Sequence, residues 1–122
     1  MTQERITLGK LGEDLARKRL IDLGYRILIT NYRCSLGEID LVARDDDVLV
    51  FVEIKTRKRE SLGLIKEAVN RRKQTQLSKV ALAYLKSNNL WGSKVRFDVV
   101  AIRLIDGKKE IEIIKNAFEL AY

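Results

Sequence analysis

Between Val48 and Lys55 the sequence reads Val-Leu-Val-Phe-Val-Glu-Ile-Lys. In an extended chain successive side chains alternate, so Leu49, Phe51, Glu53 and Lys55 share one face, and Val48, Val50, Val52 and Ile54 share the other. A carboxylate and an ammonium thus project side by side from a strand that is otherwise apolar on both faces. Such a strand belongs at the centre of a sheet, where charges are costly unless they are paired or bind something. Upstream, Glu38-Ile39-Asp40 is joined to this strand through Asp45-Asp46-Asp47, which reads as the turn of an antiparallel hairpin. With the hairpin centred between Asp46 and Asp47, paired residue numbers sum to 93 and Asp40 faces Glu53. Opposed Cβ atoms in such a pair are roughly 4.5 to 5.5 Å apart, close enough for two carboxylates to hold one divalent cation. Without a cation the two would repel, so the arrangement calls for a metal or for the Lys55 ammonium. A carboxylate-held Mg²⁺ or Mn²⁺ polarises a phosphodiester oxygen and acidifies a bound water, and Lys55 is placed to orient that water or to stabilise developing negative charge. A buried Asp-Glu-Lys cluster without a ligand is the alternative, and a register two residues away would part the pair.

Two absences narrow the chemistry further. There is no histidine, which removes Ser-His-Asp and Cys-His nucleophilic systems, His-liganded zinc and imidazole bases. Cys34 is the single cysteine, so no internal disulfide forms and any metal sits among carboxylates and carbonyls, the donors of hard ions. Cys34 itself reads as a small apolar filler. Proline is also absent, and turns must rely on Gly, Asn and Asp.

The net charge of +7 is concentrated. Lys55 to Lys79 holds nine basic residues against two acidic ones, and the rest of the chain is balanced at 15 of each. Phosphate-binding surfaces need such an excess, because each Lys or Arg placed on a phosphate releases condensed counterions. Arg57, Lys58, Arg59, Arg71, Arg72 and Lys73 are the candidate nucleic-acid contacts; a solvated helix face is the plainer reading. Tyr32 and Trp91 could stack on bases, but isolated aromatics beside core elements more often pack.

These residues need elements to position them. Leu8, Leu11, Leu15, Ala16, Leu20 and Leu23 recur at helical spacing, predicting an amphipathic helix over Thr7 to Leu23 that ends at Gly24. Tyr25 to Thr30 reads as a strand, followed by a polar connection through Asn31 and a turn around Ser35-Leu36-Gly37. Glu38 to Ala43 and Val48 to Lys55 form the hairpin. One long helix is expected from Leu64 to Lys86, with Lys73 on the arc of Val69, Leu77, Val80 and Tyr84, so that its ammonium is aimed at the sheet or snorkels to its edge. Val95 to Leu104 and Glu110 to Lys115 complete the strands around the Asp106-Gly107 turn. The order gives an α/β domain over residues 1–122, with a mixed central sheet flanked by helices. With 122 residues the chain suffices for one such domain. No apolar run approaches the roughly 20 residues of a membrane span, and the N-terminus lacks the apolar stretch of a signal peptide. A cytoplasmic protein without a membrane partner is the expectation.

Gly12-Glu13, Gly37-Glu38-Ile39-Asp40, Val52-Glu53-Ile54-Lys55-Thr56-Arg57, Lys73 with its helix, and Arg96-Phe97-Asp98-Val99-Val100 together resemble the YraN-type family of bacterial proteins. The likeness covers nearly the whole chain. That family is similar in turn to the restriction-endonuclease-like, or PD-(D/E)XK, superfamily, which includes the archaeal Holliday-junction resolvases. The resemblance implies an αβββαβ core with an added C-terminal strand. It also implies that Asp40 is the first motif carboxylate, although Ile39 stands where many members carry proline, and that Glu53 with Lys55 is the E-x-K. Glu13 would add a further, often water-mediated, contact to Mg²⁺ or Mn²⁺, and the main-chain carbonyl of Ile54 would be another ligand. The expected activity is metal-dependent hydrolysis of nucleic acid, DNA ahead of RNA and conceivably structure-selective, with Asp40, Glu53 and Lys55 catalytic. A non-catalytic nucleic-acid-binding module and a protein-docking adaptor are the rivals, and a homodimer stays open.

Overall fold

The computed structural model describes residues 3–121. Its elements run α1 (Gln3–Asp22), β1 (Arg26–Cys34), β2 (Gly37–Asp45), β3 (Val48–Arg57), α2 (Leu62–Glu67), α3 (Arg71–Ser87), β4 (Val95–Ile105) and β5 (Lys108–Phe118). The five strands form one sheet in the order β1-β2-β3-β4-β5. Only β3 and β4 are parallel; the other neighbours are antiparallel. Antiparallel neighbours need only tight turns, whereas the parallel pair needs a crossover, which α2 and α3 supply. This is the mixed sheet flanked by helices, with an extra C-terminal strand, that the element order predicts.

Each face of the sheet has its own core. Ala16 and Leu20 of α1 pack with Leu41, Ala43, Val50, Val52, Val100 and Ile102 on one side. Leu77, Val80, Ala81, Tyr84 and Leu85 of α3 pack with Ile39, Val42, Leu49, Phe51, Phe97 and Val99 on the other. The β3 alternation read from the sequence therefore holds, with Leu49 and Phe51 under α3 and Val50 and Val52 under α1. The apolar stripe of α1 is narrower than its leucines suggest: Leu11 and Leu23 are half exposed. What seats α1 is Gly12, where a Cβ would fall 1.8 Å from Thr56 Oγ1. The helix backbone lies directly on β3 there.

Two predicted elements are corrected. The helix expected from Leu64 to Lys86 is two helices, because α2 ends at Glu67 with Ala68 as its cap and the chain is extended at Asn70. Ser61 caps α2, its Oγ accepting from Leu64 N at 3.2 Å. Asn70 adopts an extended conformation and caps α3, its Oδ1 accepting from Lys73 N at 3.1 Å, as an N-cap side chain does. The strand expected to stop at Thr30 runs on to Cys34, because Asn31 is a kink inside it, with φ of 53°, rather than a connection. The Ser35-Leu36 turn follows as expected, closed by the Cys34–Gly37 pair.

Candidate functional site

The hairpin register is the predicted one. Leu41 pairs Val52, Val42 pairs Phe51 and Asp45 pairs Val48, all summing to 93. The ladder stops at Leu41, one residue short of Asp40 and Glu53. The left-handed Asn31 lies between the Thr30–Leu41 and Tyr32–Ile39 pairs, opposite Asp40. Both strands change face at this point. Ile39 and Val42 pack under α3, while Leu41 and Ala43 pack under α1, a pattern that strict alternation of β2 forbids. The expectation that Glu38 and Asp40 share a regular sheet face is therefore replaced by a local break. Asp40 turns its carboxylate toward β3, and Oδ2 accepts from Ile54 N at 2.7 Å. A side-chain oxygen does there what a β2 carbonyl does in the regular ladder. Asp40 is thereby locked beside Glu53.

Glu53 is 5% exposed, and two ammonium groups face its carboxylate. Lys73 Nζ lies 3.2 Å and Lys55 Nζ 3.9 Å from Oε2. That oxygen nevertheless accepts no hydrogen bond among the described residues. The pairs are within Coulombic range but are not aligned as hydrogen bonds, which leaves a buried acceptor unsatisfied, a costly state. Asp40 responds to the same crowding. Burial first, then the hydrogen bond to Glu53 and the Glu53 charge, push its carboxyl up to about 8; the Ile54 N–H opposes the rise and the Glu13 charge adds to it. Of two adjacent buried carboxyls one keeps its proton, unless a cation neutralises both.

Beside Lys55 opens a cleft of about 900 Å³, lined by Lys10 and Glu13 of α1, Arg33 of β1, and Ile54, Lys55 and Arg57 of β3, among others. Glu13 thus stands at the site, brought there by the close seat of Gly12 on Thr56. It does not complete a ligand set: among the described residues no three Asp, Glu or Cys side chains converge so as to hold a metal ion. The donor chemistry still fits a hard divalent ion in part. Two carboxyl groups stand side by side, one has a buried oxygen without a hydrogen-bond partner among the described residues, and the remaining positions of an Mg²⁺ would fall to water and carbonyl, as that ion prefers.

The basic residues divide into two groups. Arg57, Lys58 and Arg59 continue from the end of β3; Arg57 is half-buried, bonded to the Thr56 carbonyl at 2.8 Å and paired with Glu60 at 3.6 Å. Arg71, Arg72 and Lys73 form the first turn of α3, where Arg71 and Arg72 are exposed. Lys73 reaches the Glu53 carboxylate, so the inward of its two predicted orientations is the one adopted. The Arg96-Phe97-Asp98 segment serves the fold. Asp98 is fully buried and accepts from Tyr25 Oη at 2.6 Å, from Arg96 at 2.8 and 2.9 Å and from Asn116 N at 3.0 Å. Arg96 also holds Asp45 at 2.8 Å, tying the hairpin turn to the start of β1 and to β5. Sequence reasoning assigned no role to Tyr25; its only signal is an aromatic directly after a helix-ending glycine.

Residues 12–102 match the model of the uncharacterised protein family UPF0102. A UPF0102 protein of Syntrophus aciditrophicus is 52% identical over 122 residues, covering all of this chain and 95% of the relative. One from Caldicellulosiruptor bescii is 50% identical over 117 residues, 91% of this chain and 96% of the relative. One from Moorella thermoacetica is 45% identical over 120 residues, 97% of this chain and the whole of the relative.

Proposed function

This chain belongs to the UPF0102 family, and we propose that it is a metal-dependent nuclease of the PD-(D/E)XK type, cutting phosphodiester bonds of nucleic acid, DNA ahead of RNA. The observation that carries the reading is the turned carboxylate of Asp40 beside Glu53, whose buried Oε2 has no hydrogen bond among the described residues while two lysines flank it. Asp40 and Glu53 would hold Mg²⁺ or Mn²⁺, with the Ile54 carbonyl as a further ligand and Glu13 acting through water. Such an ion supplies Lewis acidity to the phosphate and a water of lowered pKa, which this histidine-free chain needs in place of an imidazole base. Asp40 must surrender its proton before it can serve. Lys55, 22% exposed at the wall of the cleft, stabilises the charge that grows on the phosphorane oxygens. Arg59, Arg71 and Arg72 contact phosphates on either side of the cut and carry no sequence readout.

A second reading keeps the nucleic acid and drops the turnover. It is favoured by one observation: Lys55 and Lys73 already give Glu53 its counter-charge within the chain, so the fold is electrostatically complete as a binding module. A cleavage panel of linear, flapped and four-way-junction DNA, with RNA counterparts, in Mg²⁺ or Mn²⁺ separates the two. The nuclease cuts at least one substrate; binding throughout with no cut by either metal selects the module.

A further inference from the structure

Lys73 is better placed against Glu53 than Lys55 is, at 3.2 Å against 3.9 Å from Oε2. The two ammonium groups differ in how they are held. Lys55 stands on a central strand paired on its β4 side through Ala101, so its reach is fixed by the sheet. Lys73 reaches in from the first turn of α3, where its main-chain N–H is tied to Asn70 Oδ1 and its side chain remains 31% exposed. Its backbone is anchored while its long stem is partly solvated. The contact it makes is Coulombic and not a hydrogen bond, which makes it easy to exchange.

The turn that carries Lys73 is unusual for a helix start. Its residues are Arg71, Arg72 and Lys73, with no acidic side chain. The N-terminus of a helix carries partial positive charge and favours anions, so a cation in the first turn is unfavourable where an acid would be favourable. One buried carboxylate facing Lys73 offsets part of this, and an incoming phosphate would offset the rest.

Resting on the metal-site reading above, we propose that Lys73 is an exchangeable ammonium: it neutralises Glu53 while no divalent cation is bound, and turns to a substrate phosphate when a cation takes over Glu53. Metal loading and phosphate binding are then coupled through one side chain, and the coupling is reciprocal. Lys73 competes with the metal for Glu53, so removing its charge strengthens metal binding, which loss of a merely structural side chain does not do.

Calorimetric titration of the full-length protein with Mn²⁺, without nucleic acid, tests the competition. Lys73→Met should bind Mn²⁺ roughly five- to tenfold more tightly than wild type, the effect of removing one unit charge close to the ligands. Arg72→Met, the same change of charge on an exposed neighbour, should shift affinity less than about twofold. Lys73→Gln, which keeps a polar head for Glu53, gives the same expected gain should the methionine variant fold poorly. The phosphate half is read from the salt dependence of DNA binding in a Lys55→Ala background, where no cleavage is expected. The slope of log K against log salt should steepen by about one on adding Mn²⁺, and Lys73→Met should abolish that increment. Wild-type binding of Mn²⁺ with unchanged or weaker affinity in the Lys73 variants overturns the competition, and an unchanged slope overturns the exchange. A wild-type protein that binds no Mn²⁺ removes the metal-site reading itself.

Discussion

At the scale of single residues the account turns on Asp40. Its carboxyl is raised from an ordinary value of 3.8 to about 8 in the folded chain, whereas the unfolded chain loses that proton near pH 4. The folded state then binds more protons between these limits. Its contribution to stability is complete below about pH 4 and is lost as pH rises through 8. Urea melts in EDTA should show wild type losing stability against Asp40→Asn across that window, because an amide can still accept from Ile54 N while donating to Glu53 and never ionises. Parallel curves for the two proteins would show that Asp40 is not held protonated. Since a ligating carboxylate must be deprotonated, Mn²⁺ affinity should climb with pH over the same interval. Lys55 makes a different prediction: Lys55→Ala should abolish cleavage without weakening Mn²⁺ binding, because its ammonium is needed where negative charge develops and not to hold the cation. Equal loss of thermal stability alongside lost cleavage would mark it instead as a structural counter-ion for Glu53. The opposition of Asp40 and Glu53, with Lys55 beside Glu53, was legible in the sequence from the two-residue turn and the alternation of β3. The turning of the Asp40 carboxylate onto Ile54 N was not, because it depends on the local break opposite Asn31. The reach of Lys73 was legible only as far as its helix face, because Glu53 lies 20 positions earlier in the chain and their meeting depends on how α3 crosses the sheet.

Among the elements, the seat of α1 on β3 brings Glu13 to the cleft, and Gly12 sets that distance. In an isolated helix Gly→Ala is favourable by about 1 kcal/mol. Here a Cβ would meet Thr56 Oγ1 at 1.8 Å and Thr56 Cβ at 2.8 Å, so overpacking reverses the sign. Gly12→Ala should lose roughly 1 to 3 kcal/mol in urea melts; a gain in stability would contradict the close contact. The succession of strands along the chain and the hairpin register followed from apolar alternation and turn residues. The change of face at Asn31 did not, because an asparagine with positive φ inside a strand has the same local signature as one in a turn. The break between α2 and α3 was hidden for a related reason. Asn70 is a cap by its conformation, but Val69 sits at the right helical spacing from Leu77, and periodicity alone bridges the gap. The Tyr25–Arg96–Asp98 network was illegible because Arg96 and Asp98 lie on β4 while Tyr25 precedes β1, and only the assembled sheet joins them.

For the molecule as a whole, no helix among the described residues is long and apolar enough to cross a membrane, and the basic excess between Lys55 and Lys79 includes both lysines that face Glu53. Composition showed that excess; its division between the β3 end and the α3 start required the fold. Replacing Arg59, Arg71 and Arg72 by Ala should weaken duplexes of unrelated sequence by similar factors and flatten the salt slope by roughly two to three. An unchanged slope would place the polyanion surface elsewhere. A divalent cation held between Asp40 and Glu53 should show itself in thermal melting of the protein across a Mn²⁺ titration, since a ligand that binds only the folded state raises Tm with its concentration. Wild type should gain several degrees, about what 2 to 3 kcal/mol of linkage gives a domain of this size, while Asp40→Asn and Glu53→Gln should each stay at their metal-free Tm. A rise that persists undiminished in both variants would contradict the account.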